Sequence, residues 1–482
     1  MSEKPTQCPL CYTKLKVRNN ELYCPECGYT YLMTTSSSAS FSDLDSTTSG
    51  SADANWAVKP RKKLNASIII LFWAVILVLY FFLAMAETNL PKLFDEVINL
   101  TQESSQSADT GRGGLVATIV KGHGTDEDSK QAVEHLLSYI ADSHGIEREQ
   151  IIREVWYLRV YSDSSDNLVW NYYLLNDFSG TYVSEDTNFQ MADLAQFPEL
   201  INLFLPEVSL QKGDLKALTK LQGLECCNTP AELTNIIDPE QITYLILHDQ
   251  NNNLRSLAKL NKFTNLRYLN IDSGILLDLS PLSSCTWLTT LELYVPNYTG
   301  DYDFLKNMTS LTGLSIRTDQ LKDLEILRNC PKLQIFAFSR DDDDPSLSLK
   351  GLEYLQDLQE LRIKYVPVQT DSLDILTKNP NLITLYMEYC RLSDVSFLKG
   401  FDNLTVLSLQ GNRIEQFSDL PALPNLTSLN LSHNMISEMP EDTSAWPLLN
   451  LIYVKLNNLS AESILSFTKK YPEITVYYSQ ED

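Results

Sequence analysis

The predicted fold class is an α/β solenoid, a leucine-rich horseshoe of short strands carried behind a small α/β domain, a membrane-spanning helix and an N-terminal metal knuckle. Three observations in this chain of 482 residues predict it: an apolar triplet that returns from Leu200 to the C-terminus, an uncharged apolar run over residues 64–86, and two paired Cys-x-x-Cys motifs near the start. With 44% apolar residues the chain exceeds one compact core and divides into modules. The expected boundaries are 1–33 (knuckle), 34–63 (linker), 64–86 (span), 87–114 (stalk), 115–190 (α/β domain) and 191–482 (repeats).

Cys8-x-x-Cys11 and Cys24-x-x-Cys27 stand twelve residues apart. Two thiolate pairs on two tight turns supply the four soft ligands of a tetrahedral structural Zn²⁺. Pro9 and Pro25 within the turns and Gly28 after the second make residues 1–33 resemble a zinc ribbon. Metal binding would contribute about 10–16 kcal/mol of folding free energy to a segment with almost no core. A disulfide pair or a redox dithiol are the alternatives. Lys14, Lys16 and Arg18 add a small basic hairpin to the ribbon. Residues 34–51 are rich in Ser and Thr, a composition that buries no core and serves as a tether.

Residues 64–86 are 23 positions without a charge, including Ile68, Ile69, Ile70, Leu71, Phe72, Trp73, Val75, Ile76, Leu77, Val78 and Leu79. A helix of that length spans a bilayer and shows none of the polar face of a soluble helix. Ala84-x-Ala86 faintly suggests signal cleavage, but the region before it is too long. Lys59, Arg61, Lys62 and Lys63 precede the run, whereas Glu87, Asp95 and Glu96 with Lys92 follow it. The bias places the N-terminus in the cytoplasm and the C-terminal repeats outside, a single-pass cell-membrane topology. Reduced thiolates in the cytosol agree with that orientation.

Residues 87–114 read as a stalk. In the next module Leu115–Val120 reads as a strand. Residues 126–143 read as a helix with Ala132, Val133, Leu136, Leu137 and Ile140 on one face, and 155–161 and 169–175 as further strands. The module is expected to cover the open end of the solenoid, since terminal repeats need a cap.

The repeat register is Leu200-x-x-Leu203-x-Leu205, then units opening at Leu221, Ile242, Leu266, Leu288, Leu311, Leu333, Leu358, Leu382, Leu404, Leu426 and Leu449, with Tyr471-x-x-Ile474-x-Val476 as a degenerate end. The second and third apolar positions alternate along a strand. One unit alone fails: its aliphatics contribute about 1.5–3 kcal/mol each, against about 1.5 kcal/mol of ordering entropy for every residue. Stacking buries both sides of each strand. With Asn412-x-Ile414, Phe417, Leu420 and Leu423 between strands, residues 200–482 resemble the leucine-rich repeat family in its bacterial internalin-like class. The resemblance implies an asparagine that caps backbone amides after each strand, matched by Asn412, Asn434 and Asn457 with Cys390 as a substitute. Gly274, Pro296, Asp319 and Val366 occupy that place earlier, which predicts an irregular ladder there.

Residues between the ladder leucines face the opposite way and line the concave side. They are Tyr244, Tyr268, Asn270, Glu292, Tyr294, Arg317, Arg362, Lys364, Tyr386, Glu388 and Tyr453. Tyrosine and arginine combine large area with a polar handle and recur at protein-binding hot spots; the alternative is ordinary solvated strand surface.

Catalytic constellations are scarce. The histidines His123, His135, His144, His248 and His433 form no metal-binding motif, and no phosphate loop or nucleophile elbow is present. Cys226, Cys227, Cys285, Cys330 and Cys390 are expected as buried core thiols, and Asp341–Asp344 as a solvated acidic loop rather than a Ca²⁺ site. Residues 1–86 hold 8 Lys and Arg against 6 Asp and Glu, leaving 30 against 56 for the remainder, a net of −26. Such a surface repels nucleic acid phosphates. The chain therefore reads as a non-enzymatic, membrane-anchored protein whose extracellular repeats bind a protein ligand for recognition or adhesion, with a ribbon that docks a cytosolic protein. The alternative is a transmembrane sensor whose ribbon contacts nucleic acid or a cytosolic partner.

Overall fold

The computed structural model describes residues 16–18, 21–23, 30–31, 122–175, 178–249, 254–276, 278–340 and 346–478. Two compact units divide the chain, Met1–Leu115 and Val116–Asp482. In the first, β1 (Lys16–Arg18), β2 (Glu21–Tyr23) and β3 (Thr30–Tyr31) form an antiparallel sheet in that order. Lys16 pairs with Tyr23 and Leu22 with Tyr31. Cys8, Cys11, Cys24 and Cys27, the run 64–86, the stalk, Leu115–Val120 and Asp341–Asp344 lie outside the described residues. Among the described residues no helix is long and apolar enough to cross a membrane, and no cluster of His, Cys, Asp and Glu is placed to hold a metal.

In the second unit α1 (Glu127–His144) begins where the Asp126 carboxylate accepts from the Ser129 amide and ends at Gly145, whose φ of 65° makes the left-handed stop. Its buried face is Ala132, Val133, Leu136, Leu137 and Ile140. A short α2 (Arg148–Glu154) leads into β4 (Val155–Ser162), β5 (Leu168–Leu174) and β6 (Ser179–Val183), which pair antiparallel in sequence order. Neither α2 nor β6 was expected from the sequence. Rather than lying over the end of the solenoid as a lid, this module extends its sheet. β4 runs parallel to the first repeat strand, β7 (Asn202–Phe204), with Leu158 beside Leu203. Parallel pairing lets the apolar face of β4 continue the solenoid core without a break in hydrogen bonding.

The repeat strands follow in order: β8 (Gly223–Cys226), β9 (Tyr244–His248), β10 (Tyr268–Asp272), β11 (Thr290–Tyr294), β12 (Gly313–Arg317) and β13 (Ile335–Ser339). After them come β14 (Glu360–Lys364), β15 (Thr384–Glu388), β16 (Val406–Ser408), β17 (Ser428–Asn430), β18 (Leu451–Tyr453) and β19 (Thr475–Tyr477). Together with β4, β5 and β6 they make one sixteen-stranded sheet. Leu203, Leu224, Leu245, Leu269, Leu291, Leu314, Phe336, Leu361, Leu385, Leu407, Leu429 and Ile452 stand side by side across it. All of them are at most 2% exposed.

The last unit departs from the expected spacing. Val476 pairs with Ile452, so it takes the second apolar position and not the third. A terminal helix, α4 (Ala461–Lys470) with Ser460 as its cap, fills that repeat with Ile464 and Phe467 and moves the strand onset by two residues. The short helix α3 (Pro230–Leu233), opened by a Thr229–Glu232 capping box, is the corresponding irregularity near the other end.

The asparagine ladder is built as the resemblance implied. Asn412 Oδ1 accepts from the Cys390 and Leu392 amides at 3.1 and 3.0 Å, while its Nδ2 donates to Met387 and Leu409 carbonyls. Asn434 and Asn457 repeat the arrangement one and two units on. The Cys390 thiol donates to the Ile363 carbonyl, as an asparagine amide would. In the earlier half Asn228 clamps Leu210 through both its amide atoms, and the Ser273 hydroxyl joins Asp249 to the Leu254 carbonyl. Polar capping persists there with other residues at shifted positions.

Candidate functional site

Strand alternation leaves one side of the sheet covered by turns and the other free. From β9 to β14, apart from Gly313, the first, third and fifth residues of each strand are half-buried and the second and fourth fully buried. All eleven residues read from the sequence as outward-facing occupy the free rows. Glu388 is the most enclosed of them, at 8% exposure, because Lys364 Nζ donates to its Oε2 at 2.6 Å and Ser408 Oγ to its Oε1 at 2.6 Å.

Packing divides this face into regions. Around β14 and β15, Arg362 lies 5.0 Å and Lys364 Nζ 5.7 Å from the Tyr386 ring centre, and Arg362 also pairs with Glu360. Burial pushes the Tyr386 hydroxyl above its ordinary pKa. In the middle, Arg317 stacks on Tyr294 at 4.4 Å, and Asn270 donates to Glu292 at 2.9 Å. Burial raises the Glu292 carboxyl against the hydrogen bonds from Tyr268 and Asn270. At the C-terminal end Tyr453 stacks on Tyr477 at 4.9 Å.

At the junction with the cap two strips run side by side across the strands. One is aromatic: Tyr157 meets Phe204 edge-to-face at 5.2 Å, Phe204 meets Tyr244 at 5.6 Å, and Tyr244 stacks on Tyr268 at 4.0 Å. Gly223 stands beside this strip on β8, where a Cβ would stand 2.0 Å from Asn202 Oδ1. Burial lifts the Tyr244 hydroxyl to about 12 and the Tyr268 hydroxyl further.

The second strip is ionic. Arg159 Nη2 donates to Glu225 Oε1 at 3.3 Å, His248 Nε2 meets the same oxygen at 2.6 Å, and His248 Nδ1 lies 3.5 Å from Asp272. Burial alone would lower the His248 pKa, but its hydrogen bonds to Asp272 and Glu225 outweigh that and push it up to about 9. The imidazolium is therefore the resting form at neutral pH.

Arg159, Phe204, Glu225, His248 and Asp272 were not singled out from the sequence. Phe204, Glu225, His248 and Asp272 sit at alternating positions around Leu203, Leu224, Leu247 and Ile271, so periodicity alone could have found them. Arg159 could not be found that way, since its strand belongs to the cap and joins the register only through β4–β7 pairing.

His123 is held by Asp214 at 2.9 Å beside a small groove lined by Ala192, Ala195, Gly213, Asp214, Lys216 and Ala217. Cys226, Cys227, Cys285, Cys330 and Cys390 are buried thiols. Burial pushes the Cys285 thiol up to about 11 and Cys330 to about 12, far from reactive thiolates. These last two occupy equivalent turns with Met308 between them. A shallow groove of about 660 Å³ follows the strand onsets, lined by Gln334, Gln359, Asn403, Thr405, Asn425 and Thr427 among others.

Residues 380–422 match a family model described as leucine-rich repeats in two copies. No curated protein matches the chain. Among solved structures it is similar to an internalin from Listeria monocytogenes at 17% identity, over 76% of this chain and 95% of that one, with a TM-score of 0.41. It is similar also to a leucine-rich repeat protein of Leptospira interrogans at 20% identity, over 59% and 85%, with a TM-score of 0.43. A third likeness is to internalin C2 of Listeria monocytogenes, at 24% identity over 46% and 84%, with a TM-score of 0.31. Beyond the matched residues 380–422, parallel strand pairing continues in one register from β7 through β18.

Proposed function

We propose that this chain is a membrane-anchored recognition protein whose free sheet face binds a protein partner. The observation that carries the reading is the face itself: an unbroken surface running from the cap through the repeats, with tyrosines stacked on one another or under guanidinium groups. Such rings and guanidiniums lose little side-chain entropy on binding because packing already fixes them. Arg317 on Tyr294 and Arg362 on Tyr386 are the strongest instances. In this reading Tyr244, Tyr268, Glu292, Tyr294, Arg317, Arg362, Lys364, Tyr386, Glu388 and Tyr453 are contact residues.

The anchor is residues 64–86, with the N-terminus cytoplasmic and the repeats outside, supported by the basic residues before the run and the acidic ones after it. Cys8, Cys11, Cys24 and Cys27 hold a structural Zn²⁺ in the ribbon. The donor set suits that ion, and the antiparallel pairing of Lys16–Arg18 with Glu21–Tyr23, between the two cysteine pairs in sequence, supports a ribbon. Zinc bound there supplies folding energy and no chemistry.

Photo-crosslinking in producing cells tests the binding face. A benzophenone amino acid at Tyr386 should capture a protein, while the same group at Met435, half exposed on the turn side, should not. Capture from Met435 with none from Tyr386 would move the interface to the other surface.

A further inference from the structure

We propose that the cap–repeat junction of this face recognises an amide, an Asn or Gln side chain or an exposed peptide group of the partner, held between Arg159 and Glu225. The proposal rests on the reading of the face as a protein-binding surface and names the chemistry of one part of it.

The ionic strip is balanced in charge but not in hydrogen bonds. Glu225 has a side chain only 3% exposed, and both of its donors, Arg159 Nη2 and His248 Nε2, converge on Oε1. Its Oε2 is buried and accepts nothing, and Arg159 Nε is buried and donates to nothing. On the free face these are the orphaned polar atoms among the described residues. A buried acceptor or donor left unmatched costs about 1–3 kcal/mol, so the pair is a standing demand for one more group.

That group must accept from Arg159 and donate to Glu225. An added cation would stand beside Arg159 and His248, and an added anion beside Glu225 and Asp272, so a neutral group is favoured. An amide meets the requirement in one planar unit, its carbonyl toward Nε–H and its N–H toward Oε2. Phe204 lies on β7, between the strands of Arg159 and Glu225, and offers a ring against which an amide plane packs. Arg159 is 42% exposed at its side chain and can swing aside to admit it. A water molecule can serve the same atoms, and an amide displacing it keeps both bonds.

The test uses the full-length chain in detergent with three probes of matched size: propionamide, propionate and propylammonium. Saturation transfer from protein to probe is measured by ligand-observed NMR at millimolar concentration. Propionamide should bind in preference to both charged analogues. Glu225→Gln keeps the side-chain shape but puts a donor where the acceptor was, and should weaken propionamide by about tenfold, the loss of one hydrogen bond to a charged group. Should that variant lose its circular dichroism signal, Arg159→Met, a change at a half-exposed position, gives the same comparison. Preference for propylammonium, equal signals from all three, or unchanged propionamide binding in the variants would overturn the proposal. The last result is also what a two-pronged Arg159–Glu225 fork would give. A failure of the probes alongside crosslinking from Tyr386 removes only the amide site, whereas crosslinking confined to Met435 removes the face reading.

Discussion

At the scale of single residues, His248 shows how a polar network on a sheet face becomes a stability term. Its pKa rises from 6.5 to about 9 in the folded chain, where it meets Glu225 and Asp272 and shares the Glu225 oxygen with Arg159. A raised folded value favours the protonated form, so the contribution is complete below pH 6.5 and disappears as pH climbs through about 9. It amounts to at most about 3 kcal/mol. Urea unfolding of the wild type should lose stability across that window, and His248→Gln should flatten the curve there. Parallel curves for the two proteins would show that the imidazolium is not held by Glu225. Leu407, 1% exposed within β16, gives the apolar counterpart. Leu407→Asp puts an unpaired carboxylate among the ladder leucines and should destabilise by several kcal/mol. A variant with an unchanged urea midpoint would contradict the register.

At the scale of elements, what was legible in the sequence follows from what repeats. The strands β7 to β18 were readable because each places its leucines in the same register, and a pattern seen twelve times fixes the outward set as surely as the inward one. The cap was readable as a helix and strands, but its connection to the solenoid was not, because β4 has no counterpart in the repeat and pairs by geometry alone. Helix α4 displaced the final strand by two residues for the same reason: a unit filled by a helix no longer shares the spacing of its neighbours. The junction site straddles this boundary: Arg159 lay out of reach of the periodicity, whereas Phe204, Glu225, His248 and Asp272 stand in the repeat register and were passed over. The β4–β7 pairing predicts its own failure. Leu158 is fully buried on β4, flanked by β5 and β7. Leu158→Pro removes an amide and clashes in a central strand, at about 3 kcal/mol or more. It should also open the β7 edge to other chains. Sedimentation velocity should then show self-association; a monodisperse variant with native unfolding behaviour would mean the cap is dispensable as an edge cover.

At the scale of the whole molecule, charge and redox chemistry constrain each other. The proposed two-compartment topology joins the strongly acidic remainder of the chain to the four paired thiols, because thiolates survive in a reducing space while a recognition face must meet its partner. In the proposed topology the direction follows from the basic cluster at residues 59–63 and the acidic residues after residue 86. Protease added to intact cells carrying a tag at each end should therefore digest the C-terminal tag and spare the N-terminal one. The metal should follow the same division. The purified chain should carry one zinc ion, lost in Cys24→Ser, and a chelator should remove it without moving the thermal unfolding of the repeats, since among the described residues no cluster of His, Cys, Asp and Glu is placed to hold a metal. If the chelator unfolds the repeats as well, the two units are coupled and the ribbon is part of how the face is held. If both tags are digested together, the chain does not cross the bilayer in the way its charges direct, and the ribbon would need another source of reduced thiols to keep its zinc.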